Sequence, residues 1–312
     1  MVLTVTMNPA VDHQIFVPEL QFHDTNRVGK TEIDAGGKGI NLSRVYAELG
    51  GKTIATGFIG GALGQFVRTV LENQGVTCDF VEVPGQTRLN ISIEDDSGRP
   101  PTTFNEKGPL ILAADHDGLL EAIHRNIIPG CWVCLGGSLP AGVKQDVYLH
   151  LGKLVKELGC KLLLDADKEP GAFGMQAMPD FIKPNEKEAG RLLGRTLETT
   201  DDIVRAAIDL QSQLRPDALV VISRGEKGAV LASPDGVFVG ESAPVEAKST
   251  IGSGDSFLAG MLWAMEEAKV GLVAAFRWGL AAGAATAVSD GTEIGHRNVC
   301  HVLFDHTSVT RV

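Results

Sequence analysis

The chain has 312 residues, of which 44% are hydrophobic and 21% charged, and its formal net charge is −11. This composition indicates one large α/β domain with at most a small appendage. The negative charge argues against a nucleic-acid surface or an anionic membrane surface, so local groups would have to hold any anionic ligand. No apolar run is long enough to cross a bilayer, and the N-terminus lacks the basic region and apolar core of a signal peptide. We therefore expect a cytoplasmic protein without nucleic-acid or membrane partners.

The five cysteines are scattered along the chain, and their odd number does not suggest a disulfide framework. Cys131 and Cys134 form a C-x-x-C within an apparent buried strand. Residues i and i+3 of a strand face opposite sides, about 10 Å apart, which is too far for a disulfide. No second C-x-x-C or histidine pair completes a zinc site, so neither a redox role nor a metal role is expected.

The first predicted strand, Val2–Thr6, ends just before the segment Asn8-Pro9-Ala10-Val11-Asp12. Ligands of open α/β sheets bind beyond the carboxyl ends of the strands, so Asp12 lies where a polar ligand could be met. A turn-forming role of the Asp12 side chain explains the segment equally well.

Two polar stretches show the short alternating pattern of exposed strands. Residues 14–33 contain Arg27, and residues 87–104, with a turn at Ser97-Gly98, contain Arg88. We expect these strand pairs to form a small accessory sheet outside the main one. On composition alone, each arginine is more simply a solvated surface charge.

A glycine-rich segment, Gly36-Gly37-Lys38-Gly39-Ile40-Asn41, opens the next helical pattern. Glycines followed by a cation at a helix start suit an anion or a hydroxylated ligand that the backbone approaches closely. The segment is not a Walker A loop, and no dinucleotide-type G-x-G-x-x-G follows a strand. A nucleotide would therefore be bound by another device.

Strand and helix patterns alternate through most of the chain, which predicts a mostly parallel sheet with helices on both faces. Strands are expected at residues 52–58 and 78–83, and the last helix at residues 274–288. Polar clusters close four of the later strands, where a ligand would lie: Gly136-Gly137-Ser138, Asp165-Ala166-Asp167, Lys183-Pro184-Asn185-Glu186 and Ser223-Arg224-Gly225.

The most informative stretch runs from Lys248 to Phe257, where Gly252 and Gly254 flank Ser253 ahead of an amphipathic helix expected to begin near Asp255. Free backbone N–H groups and the positive end of the helix dipole make this an anion site. A carboxylate beside it suits a general base that acts on a hydroxyl next to a phosphoryl group. A plain helix N-cap at Asp255 explains the same pattern equally well.

Taken together, the glycine-rich segment at 36–41 and the stretch at 249–256 resemble the two signatures of the ribokinase-like, PfkB-type sugar kinases. The resemblance covers essentially the full length, because the segments at 8–12, 87–90, 137–140 and 183–188 follow in the family's order. The chain is most similar to the branch that contains the 1-phosphofructokinases and tagatose-6-phosphate kinases. The family's alanine in Gly-Ala-Gly-Asp is replaced here by Ser253, which keeps the backbone donors.

This resemblance implies a ribokinase-like fold with a β-sheet lid, which in this family is commonly a dimer interface. The α/β core would comprise residues 1–11, 35–86 and 109–312, and the lid residues 12–34 and 87–108. A homodimer through the lid is accordingly expected.

The resemblance also implies a role for each motif. Asp255 would be the general base, and the amides of Gly252, Ser253 and Gly254 would form the anion hole. The groups expected to hold the sugar hydroxyls and the phosphate already on the substrate are Asp12, Arg27, Gly36, Gly37, Lys38, Asn41, Arg88, Asn90 and Ser138. The groups expected on the ATP and Mg²⁺ side are Lys183, Asn185, Ser223, Gly225 and, through water, Glu188.

The function implied is Mg-ATP-dependent phosphorylation of a ketohexose monophosphate, with fructose 1-phosphate as the expected substrate. Tagatose 6-phosphate and fructose 6-phosphate are the alternatives, because each also offers a furanose with a phosphate at one end and a hydroxymethyl group at the other. A kinase for an unphosphorylated sugar or nucleoside would leave the cations Lys38, Arg27 and Arg88 unpaired. A sugar-phosphate sensor without turnover would not need Asp255.

Overall fold

The computed structural model describes residues 1–97 and 99–312. Its strands form a main sheet of 11 strands and a separate sheet of four, which we call the small sheet. The strands are β1 Val2–Thr6, β2 Ala10–Val17, β3 Lys30–Gly36, β4 Thr53–Ile59, β5 Thr77–Cys78, β6 Val81–Glu82, β7 Arg88–Asp95, β8 Thr102–Asn105, β9 Trp132–Gly136, β10 Lys161–Asp165, β11 Phe181–Ile182, β12 Leu219–Ser223, β13 Ala229–Ser233, β14 Gly236–Glu241 and β15 Ser308–Arg311. The helices are α1 Lys38–Glu48, α2 Gly61–Asn73, α3 Ala113–Asn126, α4 Val147–Glu157, α5 Lys168–Met175, α6 Glu186–Leu193, α7 Thr200–Ser212, α8 Ser253–Glu266, α9 Leu272–Ala287 and α10 Arg297–Phe304.

The main sheet has the order β15-β14-β13-β12-β11-β10-β9-β1-β4-β5, with β6 beside β4. All pairs from β12 to β6 are parallel, whereas β13, β14 and β15 extend the sheet antiparallel. The carboxyl ends of β1, β9 and β10 are therefore neighbours at one edge, as the alternating sequence pattern predicts.

Helices cover both faces of the main sheet. One apolar core contains residues of α3, α4, α6 and α7, and the other contains residues of α1, α8, α9 and α10. Cys131 belongs to the first core and Cys134 to the second, as expected for residues i and i+3 of a strand.

Helix α8 is held tightly against the alanine-rich helix α9. A Cβ built on Gly260 would lie 2.6 Å from the Ala282 Cβ, and one built on Gly279 would lie 2.9 Å from the Phe257 ring. Only glycine permits this approach, so small residues on the two helices fix the position of α8 and of the site at its N-terminus.

The small sheet has the order β3-β2-β7-β8 and contains both predicted polar strand pairs. Strands β2 and β7 are parallel, and their register places Asp12 opposite Asn90. Val11 and Ala35 of this sheet share an apolar cluster with Ile40 and with residues of α2, which joins the small sheet to the rest of the molecule.

Several predicted elements differ from the structure. The expected strand at 78–83 is two short strands, and α8 begins at Ser253, two residues before Asp255. The helix at 274–288 is not the last, because α10 and β15 follow it. The predicted turn at Ser97-Gly98 includes Gly98, which lies outside the described residues. Within the described ranges, no helix is both long enough and apolar enough to span a membrane.

Candidate active site

The anion site that the sequence predicts would lie at the N-terminus of α8. Gly252 is its N-cap, with a left-handed φ of 74° that glycine adopts freely. Amides in the first turn of a helix have no intrahelical carbonyl partner, so they are available to a ligand. The Ser253 amide makes one long contact, 3.4 Å, to the Thr250 carbonyl. The Ser253 Oγ is buried and has no partner among the described residues.

Asp255 lies in the first turn of α8 rather than at the N-cap, and it is 8% exposed. Its Oδ2 accepts a hydrogen bond of 2.8 Å from the Asn41 amide, and within the described part of the chain no partner is found for Oδ1. Burial raises the pKa of Asp255 to about 6, against the opposing effect of the nearby Lys38 ammonium. A carboxyl group with this pKa is deprotonated near neutral pH and is a stronger base than an exposed aspartate.

Lys38 is the first residue of α1, and its Nζ donates to Asp165 Oδ1 over 2.8 Å. Burial lowers the pKa of Lys38, but the carboxylates of Asp165 and Asp255 outweigh that effect and raise it above its ordinary value. Lys183, which follows β11, brings its Nζ to the same place, 2.9 Å from where a Gly254 Cβ would lie. Two cations and two carboxylates therefore surround the N-terminus of α8.

A second group of polar side chains lies where the small sheet meets the main sheet. Asn90 donates to Asp12 Oδ1 over 2.8 Å, and Arg88 is adjacent at the start of β7. Burial raises the pKa of Asp12 and lowers the pKa of Arg88. A Cβ on Gly36 would lie 1.9 Å from Asp12 Oδ2, so the glycine leaves the space that this carboxylate occupies. Gly37 is the N-cap of α1 at the same junction.

The loop after β1 connects this group to the rest of the site. The buried Asn8 side chain donates to the Lys107 carbonyl over 3.1 Å and to Ser138 Oγ over 3.4 Å, and the Asn8 carbonyl accepts from Arg88 Nε. Ser138 itself is exposed. Asn8 therefore connects the segment that follows β8 to the carboxyl end of β1.

The structure does not bring Arg27 to these groups. Arg27 is exposed in the loop between β2 and β3, beyond the end at which Phe16 pairs with Lys30. Arg88 pairs with Ala10 at the opposite end of β2, roughly 20 Å away at the rise of a β-strand. The role of Arg27 as a phosphate ligand stays a prediction.

Of the residues predicted on the nucleotide side, Lys183 lies beside α8 and the others form a separate group. Asn185 caps α6 through two reciprocal hydrogen bonds, each 2.9 Å long. The Glu188 backbone N–H donates to Asn185 Oδ1, and the Asn185 backbone N–H donates to Glu188 Oε2. Ser223 forms a parallel bridge with Asn185, which places the ends of β11 and β12 together. Gly225 is exposed just beyond, with φ of 59°.

Sequence reasoning assigned no role to two residues that the structure places in the site, Asn8 and Asp165. Asp165 closes β10, and the polar cluster there signalled a ligand-facing strand end. Its partner Lys38 is 127 residues away in sequence, so no local pattern identifies the pair. Asn8 belongs to the segment that contains Asp12, but its contact with Lys107 depends on the path of the small sheet.

Comparison with known proteins identifies the family. The model of the pfkB family of carbohydrate kinases matches residues 4–297. This chain belongs to that family. The 1-phosphofructokinase of Bacillus subtilis is 30% identical over 312 residues, covering 100% of both chains. The 1-phosphofructokinase of Haloferax volcanii is 37% identical over 269 residues, covering 85% of this chain and 84% of its own.

Solved structures of the family have the same fold. The crystal structure of Phosphofructokinase-2 from Escherichia coli in complex with substrates and products matches with a TM-score of 0.91 and 27% identity, over 97% of this chain and 98% of that chain. The ribokinase-like α/β fold with a small separate sheet, predicted from the motifs, is therefore confirmed. As a pfkB carbohydrate kinase, the chain transfers a phosphoryl group to a hydroxyl.

Proposed function

We propose that this kinase acts in the cytoplasm and uses Mg-ATP to phosphorylate fructose 1-phosphate at its 6-hydroxyl, giving fructose 1,6-bisphosphate and ADP. The observation that carries the proposal is Asp255, a buried carboxylate beside the amides that open α8, whose Oδ1 has no partner among the described residues. The names of the relatives from Bacillus subtilis and Haloferax volcanii support fructose 1-phosphate as the substrate. The five free cysteines suit a reducing compartment.

In the proposed reaction, Asp255 Oδ1 takes the proton of the sugar 6-hydroxyl while the hydroxyl oxygen bonds to the γ-phosphorus of ATP. The bond from this phosphorus to the bridging oxygen breaks, and the electron pair leaves with ADP. Negative charge on the transferring group is stabilised by the amides of Gly252, Ser253 and Gly254 and by the Lys183 ammonium.

The sugar is proposed to bind between the two sheets. Asp12 and Asn90 offer a carboxylate and an amide held against each other, which suits ring hydroxyls that both donate and accept. Arg88 lies beside these groups and is proposed to bind the phosphate that the substrate already has. A guanidinium group suits this role because it can donate to two phosphate oxygens at once. Residues 12–34 and 87–108, which contain most of the small sheet, then act as a lid over the sugar.

The nucleotide is proposed to lie along Asn185, Ser223 and Gly225. Among the described residues, no three acidic, histidine or cysteine side chains form a metal cluster. Glu188 uses Oε2 in the α6 cap, which leaves Oε1 for a water-mediated contact. This fits Mg²⁺, which binds through one or two carboxylates together with substrate phosphates. When bound, the ion would neutralise charge on the transferring phosphates.

We also propose a homodimer formed through the lid. Four large apolar side chains on the small sheet and its β2–β3 loop are well exposed: Phe22, Val28, Ile33 and Phe104. An exposed apolar patch of this kind is typical of a protein interface. Sedimentation of the chain as a dimer would agree with this, and a monomer at micromolar concentration would contradict it.

The reaction is tested by identifying the product. Fructose 1-phosphate is incubated with Mg-ATP and the mixture is followed by ³¹P NMR. We expect one new phosphomonoester at carbon 6 for each ADP formed. ADP formation with inorganic phosphate and no bisphosphate, or no ADP at all, would contradict the proposed activity.

A further inference from the structure

The Asp165 carboxylate is enclosed but only half satisfied. Asp165 is 6% exposed, its Oδ1 accepts from Lys38 Nζ, and its Oδ2 has no partner among the described residues. Burying a charged group in this way destabilises the fold unless a nearby opposite charge compensates it. The effects of Lys38 and Lys183 outweigh burial and lower the pKa of Asp165, so the group is an anion in the folded chain.

Asp165 shares its surroundings with the proposed base. Lys38, Asp165 and Asp255 line one pocket between α1, β10 and α8. Lys38 lies close enough to Asp255 to affect its pKa, but the one ion pair of Lys38 within 4.0 Å, in the described part of the chain, is with Asp165. The ammonium thus has two carboxylates within reach and is bound to the one on β10.

The choice of partner matters for a base. An ammonium paired with Asp255 would occupy lone pairs that must accept the hydroxyl proton, and it would favour the charged form and so weaken the base. An ammonium held by Asp165 leaves Asp255 Oδ1 free. Asn41, which donates to Oδ2, does not block Oδ1.

We propose that Asp165 is a positioning residue that holds the Lys38 ammonium away from Asp255, so that Asp255 Oδ1 stays open to the substrate hydroxyl. This inference rests on the proposed function, in which Asp255 is the base. It assigns Asp165 a role through Lys38 and not through contact with the reacting atoms.

Replacement of Asp165 by Asn should free Lys38 to pair with Asp255. Among the described residues, the groups with the largest effects on the pKa of Asp255 are Lys38 and Asn41 from α1, Asp165 from β10 and Lys183 from the end of β11. Loss of the Asp165 charge and approach of Lys38 both lower the pKa of Asp255. The acid limb of the pH–kcat profile should therefore move to lower pH.

The first experiment compares Asp165→Asn with Asp167→Asn, a matched control two residues away whose carboxylate is paired with Arg191. We expect Asp165→Asn to lower kcat by about 10-fold or more, with the KM of both substrates changed less than about two-fold. Asp165→Ala, which removes the acceptor altogether, should behave in the same way. Equal effects of the substitutions at 165 and 167, or an unmoved acid limb in both Asp165 variants, would overturn the proposal.

The second experiment repeats Asp165→Asn in a Lys38→Met background, using single turnovers with excess enzyme if kcat is small. In the Lys38→Met background Asp165 has no ammonium to hold away from Asp255, so Asp165→Asn should change the rate by less than about three-fold. The same loss with and without Lys38 would contradict the proposal. A raised Mg²⁺ requirement that persists without Lys38 would instead assign Asp165 to the metal and overturn the positioning role.

The outcome can be separated from that of the proposed substrate. If the wild-type protein rejects fructose 1-phosphate but phosphorylates another phosphosugar, the substrate proposal fails while the Asp165–Lys38 coupling is still measured with the accepted sugar. If Asp255→Asn retains its turnover, the base assignment fails, and the positioning role of Asp165 fails with it.

Discussion

Asp255 has the properties of a general base: it is buried, its Oδ2 accepts a hydrogen bond, and its Oδ1 has no partner in the part of the chain that the structure describes. Replacement by Asn preserves the shape and removes the proton acceptor. We expect Asp255→Asn to lower kcat by roughly 10²- to 10⁴-fold while the KM values stay close to wild type. Steady-state kinetics with both substrates checks this, and near-wild-type turnover would refute the mechanism.

The raised pKa of Asp255 predicts a pH dependence. A base must be deprotonated to act, so kcat/KM should fall as the pH decreases through about 6, the pKa that burial gives this group in the free protein. The measurement is a pH profile of kcat/KM at constant ionic strength, with Asp167→Asn as a control that should leave the acid limb in place. A limb centred near 4, the ordinary value of an aspartate, would show that Asp255 is not the group observed.

Arg88 and Arg27 are separated in the structure, which makes Arg88 the arginine next to the proposed sugar site. Arg88→Ala should raise the KM for the phosphosugar about 10- to 100-fold, the usual effect of losing a charge-assisted hydrogen bond, with little change in the KM for ATP. Arg99→Ala, at the other end of the same strand pair, is the control. Parallel changes in both KM values would return Arg88 to a structural role, which its contact with the Asn8 carbonyl would explain.

Residues with local signals were predictable from sequence, whereas those defined by distant partners were not. Asp255 and its glycines stand together in one stretch. Asp165 and Asn8 acquire their contacts from Lys38 and Lys107, 127 and 99 residues away. Asn41 was predicted only as a substrate ligand, but in the structure its side-chain amide donates to Asp255 Oδ2.

At the scale of elements, the junction of β3 and α1 shapes the sugar side of the site. Gly36→Ala would drive a methyl group into Asp12 Oδ2, 1.9 Å away, without straining the backbone. Since a small displacement of a binding group misplaces the substrate and slows the reaction, we expect kcat/KM for the phosphosugar to fall about 10- to 100-fold. Gly29→Ala is the matched control, because its nearest atom lies 3.7 Å away. Equal kcat/KM values for the two variants would show that Asp12 does not bind the sugar.

Helices and strands could be predicted best where capping or turn residues mark their ends. Helix α6 begins at a local signal of this kind, because Asn185 and Glu188 form a capping box there. The hairpin of β13 and β14 was missed, although Pro234-Asp235-Gly236 stands at its turn between two apolar runs. The short edge strand β15 depends on pairing with β14 and has little signal of its own.

At the scale of the whole molecule, the proposed site requires both sheets. The main sheet and α8 supply Asp255, Lys183 and the proposed anion hole, whereas the small sheet supplies Asp12, Asn90 and Arg88. The alternation of helices and strands predicted the main sheet, and the two polar strand pairs predicted the small one. The parallel pairing of β2 with β7, which brings Asp12 and Asn90 together, required the tertiary structure.

The most direct test of the account is a side-by-side measurement of kcat/KM with Mg-ATP for fructose 1-phosphate, fructose 6-phosphate, tagatose 6-phosphate and unphosphorylated fructose. The account predicts the highest value for fructose 1-phosphate and very low turnover of fructose, because Arg88 would then have no phosphate to bind. A clear preference for either 6-phosphate would overturn the substrate assignment while leaving the kinase chemistry in place. A preference for fructose itself would contradict the phosphosugar site.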